Sequence, residues 1–487
     1  MAKAILPNTT SVDICKGEDI GKSNLPFNKK RTSIKQTILR FIGKIASNPT
    51  DYVVFASTYL LMFGSVFLVF KLEDDFYEFH TNMLSTTIGT IFYIVTLMLL
   101  MFKLSFLVFL FFKYLQYKPI DSVSDDDLPS CTVIVPAYNE GKLVYETLMS
   151  LNQSDFPKEK LQIISIDDGS KDDTWQWMLK AKEELGDIVS IYQQPQNKGK
   201  RHALYRGFNL ATGDVFVTVD SDSLVEKDTL RNLVSPLKVN KNCGAVAGNV
   251  HVLNTKKALI PKMLNVSFAF SFEFIRAAQS TMGSVLCTPG ALAAYRKEAV
   301  MGCLDDWMNQ TFFGQLTDIG EDRAMTNMIL KQGYHVMFQR NALVLTKIPE
   351  KFSGLRKMFT RWERSNVREN IMMSRFAFTN FREDSKIGLR ILLLNQWLGI
   401  ITAYPLVISM LYMIAVHPIL FLSSTLMGIL IFNSIPVVFY AFKHHKSKSF
   451  LAHTYGIFYA FSLFWITPYA IVTASRRGWL TRGLTTQ

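Results

Sequence analysis

The chain is poor in charge and in cysteine. Of its 487 residues 19% are charged and 49% hydrophobic, and the apolar residues gather in blocks toward the two ends. That composition excludes an ordinary soluble protein and implies a membrane protein with a polar middle. Cys15, Cys131, Cys243, Cys287 and Cys303 are the five cysteines, none in a C-x-x-C pair. Neither a zinc site nor a disulfide framework is indicated, and a reduced, cytosol-facing middle is the plain consequence. No P-loop, zinc pattern or aromatic RNP pattern is present. The formal charge of +13 follows the edges of the apolar blocks, which favours lipid and argues against nucleic acid. The first fifty residues have no early apolar core of the kind a cleavable signal needs, so the first hydrophobic run is expected to stay in the mature protein.

What is present divides the chain into six parts. Residues 1–50 read as a cytosolic basic tail, disordered to about residue 30. The stretch "RTSIKQTILRFIGKIAS" then sets Ile34, Ile38, Phe41, Ile42 and Ile45 at helical spacing against Lys35, Arg40 and Lys44. It suits an amphipathic helix on an anionic membrane surface, or equally a basic flank that orients the next span. Residues 51–118 hold two apolar runs, 52–71 and 86–112, each long enough to cross a bilayer at about 20 residues, with acidic "KLEDDFYEFHTN" between them. Lys and Arg at their outer ends place the N-terminus and everything after Lys113 in the cytoplasm. Residues 119–350 change to short β-branched runs, each followed by a polar turn and a helical period. That alternation predicts an α/β domain with a mostly parallel sheet, whose ligands sit beyond the carboxyl ends of the strands. Residues 351–390 are basic and amphipathic and suit interfacial helices. Residues 391–474 hold apolar segments at 395–416, 418–442 and 451–473. The last contains Pro468 and lies between two basic, cytoplasmic-looking stretches, so it is expected to be re-entrant or interfacial. Residues 475–487 return to the cytosol.

The chemistry-bearing residues fall at the predicted strand ends: "TVIVPAYNE", "DDGS", "NKGKRHAL", "TVDSDS", "IGEDRAMTN" and then "RWERS". Each alone is an ordinary turn composition. In one doubly wound domain they converge. Residues two apart on an extended strand point to one side, so Asp220 and Asp222 are expected to aim carboxylates at one point, a position suited to a hard cation.

The order and spacing of these motifs resemble the family 2 glycosyltransferases, specifically the membrane-embedded processive synthases. The resemblance covers residues 130–370 and, in outline, the flanking membrane segments. It implies a GT-A-type nucleotide-sugar domain joined to a helical transmembrane region. It implies that Pro136, Ala137, Tyr138 and Glu140 begin the nucleotide pocket, that Asp168 binds uracil, and that Lys200 and Arg201 lie near the nucleotide. Asp220, Ser221 and Asp222 look like the D-x-D segment, with the two acids holding Mg²⁺ or Mn²⁺ on the UDP diphosphate, and Asp322 looks like the catalytic base. Arg361 and Trp362 resemble the end of a Q-x-x-R-W motif, Arg361 toward the diphosphate and Trp362 under the acceptor sugar. Met358 stands where that motif has Gln. Trp479 and Arg482 resemble a W-G-T-R gate over bound UDP, with Leu480 in place of Gly. Cys287, Gln279 and Glu321 are placed by the resemblance near the acceptor. Within the family, "RAAQS", "CTPGALAAYR" and "DWMNQTFFG" look most like hyaluronan synthases, with chitin-oligosaccharide synthases close behind.

The implied partners are UDP-GlcNAc and UDP-GlcA as donors, the nascent polysaccharide, and the lipid bilayer, at a multi-pass plasma-membrane location with the catalytic domain in the cytoplasm. The chemistry asks for the same residue types. Transfer needs the leaving diphosphate stabilised by a divalent metal and cations, and a base within reach of the acceptor hydroxyl. Other readings stay open on the residues alone. Arg361 and Trp362 also suit an anchor for an interfacial helix, Cys287 an ordinary buried thiol, and Trp479 with Arg482 a positive flank. A non-processive lipid-phosphate transferase would keep the D-x-D without needing the other two motifs. A transporter would need intramembrane charges along a path, and the predicted spans carry few.

Overall fold

A computed structural model describes residues 49–444 and 446–476. The amphipathic segment before residue 49 and the pair Trp479 and Arg482 lie outside the described residues.

Ten strands build the middle of the chain: β1 (Cys131–Ala137), β2 (Leu161–Asp167), β3 (Val189–Gln193), β4 (Val215–Val219), β5 (Ser223–Val225), β6 (Cys243–Val252), β7 (Leu292–Arg296), β8 (Thr311–Phe312), β9 (Gln315–Leu316) and β10 (His335–Thr346). Eight of them form one sheet in the order β3-β2-β1-β4-β7-β6-β10-β5, and β8 with β9 makes a separate small hairpin. The run β3-β2-β1-β4 is parallel, as is β6 with β10, while β7 runs against both neighbours and β5 against β10. The reading of a mostly parallel α/β sheet therefore holds. Strand β1, "CTVIVPA", is buried along its whole length, as expected of a parallel strand covered on both faces. The sheet must curl. Only residues 220–222 separate β4 from β5, a reach of about 10 Å, although the two strands occupy different places in the order.

Strand β10 is irregular, with its pairing to β6 shifted between Phe338 and Leu343. Such a shift leaves backbone groups to be satisfied by other partners. The apolar helix Thr87–Gln116 supplies them as it ends. The Tyr117 hydroxyl donates to the Phe338 carbonyl at 3.0 Å and accepts from the Arg340 N–H at 3.0 Å, and the Gln339 amide brackets the backbone of Ile120. This apolar helix is thereby fixed to the sheet by the sheet's own defect.

Among the described residues four helices are long and apolar enough to cross a membrane: Asp51–Lys71, Thr87–Gln116, Ile387–Val416 and Pro418–Lys443. The apolar run after residue 450 is not one straight helix. Lys446–Ser462 and Ile466–Thr473 meet at a 53° bend, the geometry of a broken span or a re-entrant loop. The acidic stretch between the first two apolar runs forms the helix Glu73–Leu84. Phe352–Ala377, expected on the interface, buries Arg364, Arg368, Glu369 and Asn370 along with Leu355, Met358, Val367 and Met373. It is an internal strut between the sheet domain and the C-terminal helices.

A second tie joins a long apolar helix and the sheet. Glu273, 5% exposed, lies in a π-helical turn, Phe270–Arg276. It faces His251 Nε2 of β6 at 3.1 Å and His444 Nε2, just past the helix Pro418–Lys443, at 3.0 Å. Burial pushes its carboxyl up, but the two imidazole hydrogen bonds outweigh burial and hold it down at about 2. A depressed carboxyl contributes stability that is fully present above about 4.3, the unfolded value. That contribution is lost as the pH falls through about 2. Glu273→Gln leaves both imidazoles without their anion. It is expected to cost about 3 kcal/mol, read as a fall in the thermal unfolding midpoint of the detergent-solubilised protein at neutral pH.

Candidate active site at the carboxyl ends of the strands

Strand β4 ends at Val219, and residues 220–222 are a turn, closed by the Ser223 N–H on the Asp220 carbonyl at 3.1 Å. Asp220 and Asp222 are thus presented by a turn and not by an extended strand. The turn is held from beneath, where the carbonyl of buried Ser221 accepts the Thr147 hydroxyl at 2.9 Å. Asp222 meets the Thr346 hydroxyl at 3.3 Å, and Asp220 meets the Lys200 ammonium at 2.5 Å.

Lys200 opens the helix Lys200–Leu210, and its ammonium also pairs with Glu321 at 3.2 Å. Burial alone would lower its pKa, but Asp220 and then Glu321 hold it above the ordinary lysine value. Gly290 makes room for it, since a Cβ there would stand 2.5 Å from the Lys200 Nζ. Glu321 and Asp322 begin the helix Glu321–Lys331, which follows Gly320 in a left-handed conformation, φ 72°. A Cβ on Gly320 would stand 1.9 Å from the Ser365 Oγ, so only glycine lets this helix start against Phe352–Ala377. Two acids in a first turn are favoured by the helix dipole.

The two acids differ. Burial raises the Glu321 carboxyl, yet the charges of Lys200 and Arg361 overcome this and leave it low. Asp322 is raised, by burial first and then by the Glu321 charge, against the pull of Lys200. One carboxylate is therefore fixed as an anion and its neighbour is the better proton acceptor, a division of labour that suits an acid–base step. Lys200, Thr218, Gly290, Tyr295, Glu321 and Asp322 share the lining of a cavity of about 10 Å³. The Cys287 Sγ lies 3.8 Å from Asp322 Oδ2, and burial, then that carboxylate, pushes the thiol up to about 12.

Other expected residues are placed differently. Pro136 and Ala137 lie inside β1, paired with Ile166 and Asp167, while Tyr138 and Glu140 stand partly exposed just beyond its end. Asp168 is 3% exposed, and its carboxylate accepts the N–H groups of Lys198 and Gly199 at 3.0 and 2.7 Å. It shapes the loop that delivers Lys200. Arg201, expected beside the nucleotide, is 2% exposed and donates to the Trp307 carbonyl at 2.6 Å and to Gln310. Burial lowers its guanidinium to about 10. It acts through Trp307, whose indole N–H donates to the Glu321 carbonyl at 2.8 Å. Gln279, expected at the acceptor, instead accepts the Leu286 N–H at 3.3 Å. Met358 packs in an apolar cluster with Val252, Leu264, Ile348 and Leu355, which is why a thioether serves there.

A buried polar network beneath the site is not legible in the motifs. Glu369, fully buried, accepts from Gln310 at 3.0 Å, from Asn327 at 2.9 Å and from Arg368 at 3.2 Å, and Arg323 donates to Asn370 at 2.7 Å. The only sequence signal is the helical i, i+4 spacing of Arg364 and Arg368. Earlier in that helix, Trp362 is 39% exposed beside Phe268 and Phe359. Because the Glu321 anion raises Asp322, Glu321→Gln is expected to move the Asp322 carboxyl downward, measured by carbon-13 titration of labelled aspartate. An unmoved Asp322 would refute the electrostatic division between the two acids.

Residues 132–303 match the family model described as Glycosyl transferase family 2. The N-acetylglucosaminyltransferase of Rhizobium meliloti (strain 1021) is 31% identical over 266 residues, 53% of this chain and 62% of that protein. The hyaluronan synthase of Streptococcus pyogenes is 29% identical over 364 residues, 72% of this chain and 82% of that protein. The chain thus spans less than two thirds of the length of the first relative. Among solved structures, a mannosyltransferase from Pyrobaculum calidifontis in complex with GDP-Man and Mn²⁺ superposes with a TM-score of 0.50 at 21% identity. That match covers 77% of this chain and 96% of the other, and it is a likeness of fold. Matched by the family model from β1 to just past β7, the chain carries a family 2 glycosyltransferase domain, and over most of its length it is similar to a hyaluronan synthase.

Proposed function

We propose that the chain is a processive, inverting synthase. It extends a β-linked, N-acetylglucosamine-containing polysaccharide from UDP-sugars on the cytoplasmic side of the plasma membrane and passes the product outward between its membrane helices. UDP-GlcNAc is a donor in either version of this reading; the hyaluronan-type version adds UDP-GlcA, and the chitin-type version does not. The observation that carries the proposal is the gathering of Asp220, Glu321 and Asp322 around the Lys200 ammonium. The aromatic surface at Trp362 supports it.

The residues of the 220–222 turn fit a hard divalent cation, Mg²⁺ or Mn²⁺, since they offer carboxylate oxygens with the hydroxyls of Ser223 and Thr346 beside Asp222. Among the described residues no three His, Cys, Asp or Glu side chains converge on a metal position. Asp220 and Asp222 would hold the ion and diphosphate oxygens would complete its shell. When bound, it would neutralise charge developing on the leaving UDP. Lys200 lies on Asp220 and adds a second positive charge at that place, and Arg361, whose field reaches Glu321 and Asp322, adds a third. Asp322 takes the proton from the acceptor hydroxyl, which then attacks the anomeric carbon from the face opposite UDP. Inversion converts an α-linked donor into a β linkage. Tyr138 and Glu140 border the nucleobase, and Trp362 offers the acceptor ring an apolar face.

Purified protein with labelled UDP-GlcNAc, alone and with UDP-GlcA, is expected to release UDP and form high-mass polymer. Chelation of divalent metal should stop the reaction, and Mn²⁺ or Mg²⁺ should restore it. Asp322→Asn should lower transfer about 10³-fold while UDP still binds. Normal turnover in that variant would remove Asp322 as the base. Short lipid-linked products would point instead to a lipid-phosphate transferase.

A further inference from the structure

A cavity of about 350 Å³ lies where the helix Phe352–Ala377 meets the bent pair of C-terminal helices. Its volume falls within the range of small-ligand sites, about 300–1,000 Å³. Phe359, Trp362, Tyr455 and Tyr459 line it, together with Glu363 and Asn366. Aromatic faces of this kind suit the apolar faces of pyranose rings. Glu363 is the charged residue of that lining. Its two oxygens accept from the Asn366 amide and the Thr467 hydroxyl, each at 3.1 Å. Both donors are neutral, and among the described residues no Lys, Arg or His nitrogen forms an ion pair with Glu363.

The neighbouring cations on the same helix face elsewhere. Arg361 acts on Glu321 and Asp322. Arg364 is 2% exposed, donates to the Thr473 hydroxyl at 2.9 Å and lies 5.4 Å from the Tyr469 ring centre. The chain as a whole is strongly basic, at +13, yet this aromatic lining carries one negative charge.

From this geometry we propose that Glu363 is a specificity residue, and that the polysaccharide moving past Trp362 is an uncharged N-acetylhexosamine polymer and not one bearing uronates. The proposal rests on the synthase reading above and narrows its substrate class. Hydroxyl and amide N–H groups of a neutral sugar can donate to the Glu363 carboxylate as charge-assisted hydrogen bonds. A uronate on every second ring would bring a carboxylate against Glu363, which pairs with no cation among the described residues. In a half-enclosed site that repulsion is less screened than in open water.

The test compares binding of two oligosaccharides of equal length to the full-length protein in detergent, by calorimetry: chitotetraose and a hyaluronan tetrasaccharide. The neutral one is expected to bind at least about ten-fold more tightly at low salt, with the gap shrinking as ionic strength rises. Glu363→Gln should close most of that gap by strengthening the acidic ligand, and Glu363→Lys should reverse the preference. Equal binding by the native protein, or a preference that salt leaves unchanged, would overturn the proposal without reference to any variant. Polymer assays separate it from the reading beneath it. Product from UDP-GlcNAc alone, with no label incorporated from UDP-GlcA, supports it, and alternating incorporation of both labels overturns it while the synthase reading stands. Absence of polymer from every donor combination would sink the synthase reading, and the oligosaccharide comparison would still decide the role of Glu363.

Discussion

One ammonium group makes the rest of the site possible. Asp220, Glu321 and Asp322 are brought by different segments to one edge of the sheet, and three carboxylates at close quarters repel one another and resist ionising together. The Lys200 ammonium lies against two of them. It keeps Glu321 low and limits the rise of Asp322. Its position is in turn dictated by backbone: Asp168 fixes the loop before it, and Gly290 leaves it room. A side chain at 290, or a loop without the Asp168 anchor, would displace the cation and return the acids to mutual repulsion.

The same constraint ties the site to the long apolar helices. The helix that carries Glu321 and Asp322 can start only because Gly320 passes close to Ser365, and below that contact Glu369, Gln310, Asn327 and Arg368 satisfy one another out of water. Buried charge is costly unless fully partnered, so such a network holds its two helices in one relation. The strut Phe352–Ala377 therefore presents Arg361 toward the acids and Trp362 toward the aromatic cavity from one rigid element. Tyr117 in the irregularity of β10, and Glu273 between His251 and His444, fix the sheet to the apolar helices from other directions.

Much of this is legible in the linear chain. Runs such as "CTVIVPA" and "DVFVTV" show the strands, and the motifs at their ends converge as a doubly wound sheet requires. The apolar blocks show the spans, and an unstraight last segment was expected from Pro468 and the charge pattern around it. Arg201 and Gln279 were not legible. Each is a polar residue beside a motif, where proximity in sequence suggests a ligand, yet each is buried and serves the backbone. Whether a side chain beside a motif faces ligand or core depends on the rotation of its helix, which the motif does not specify. The D-x-D acids were assigned to a strand because β-branched residues run up to Val219, whereas the curl of the sheet requires a turn at that point.

The sequence by itself determined the fold class, the long apolar segments and the carboxylates and lysine gathered at the strand ends, because hydrophobic period and residue type are local properties. Only the tertiary structure decided which acid is held low and which is raised, and that Glu363 lines an aromatic cavity. Those outcomes depend on burial and on distances between residues far apart in the chain, and a carboxylate's protonation follows its surroundings more than its place in the sequence.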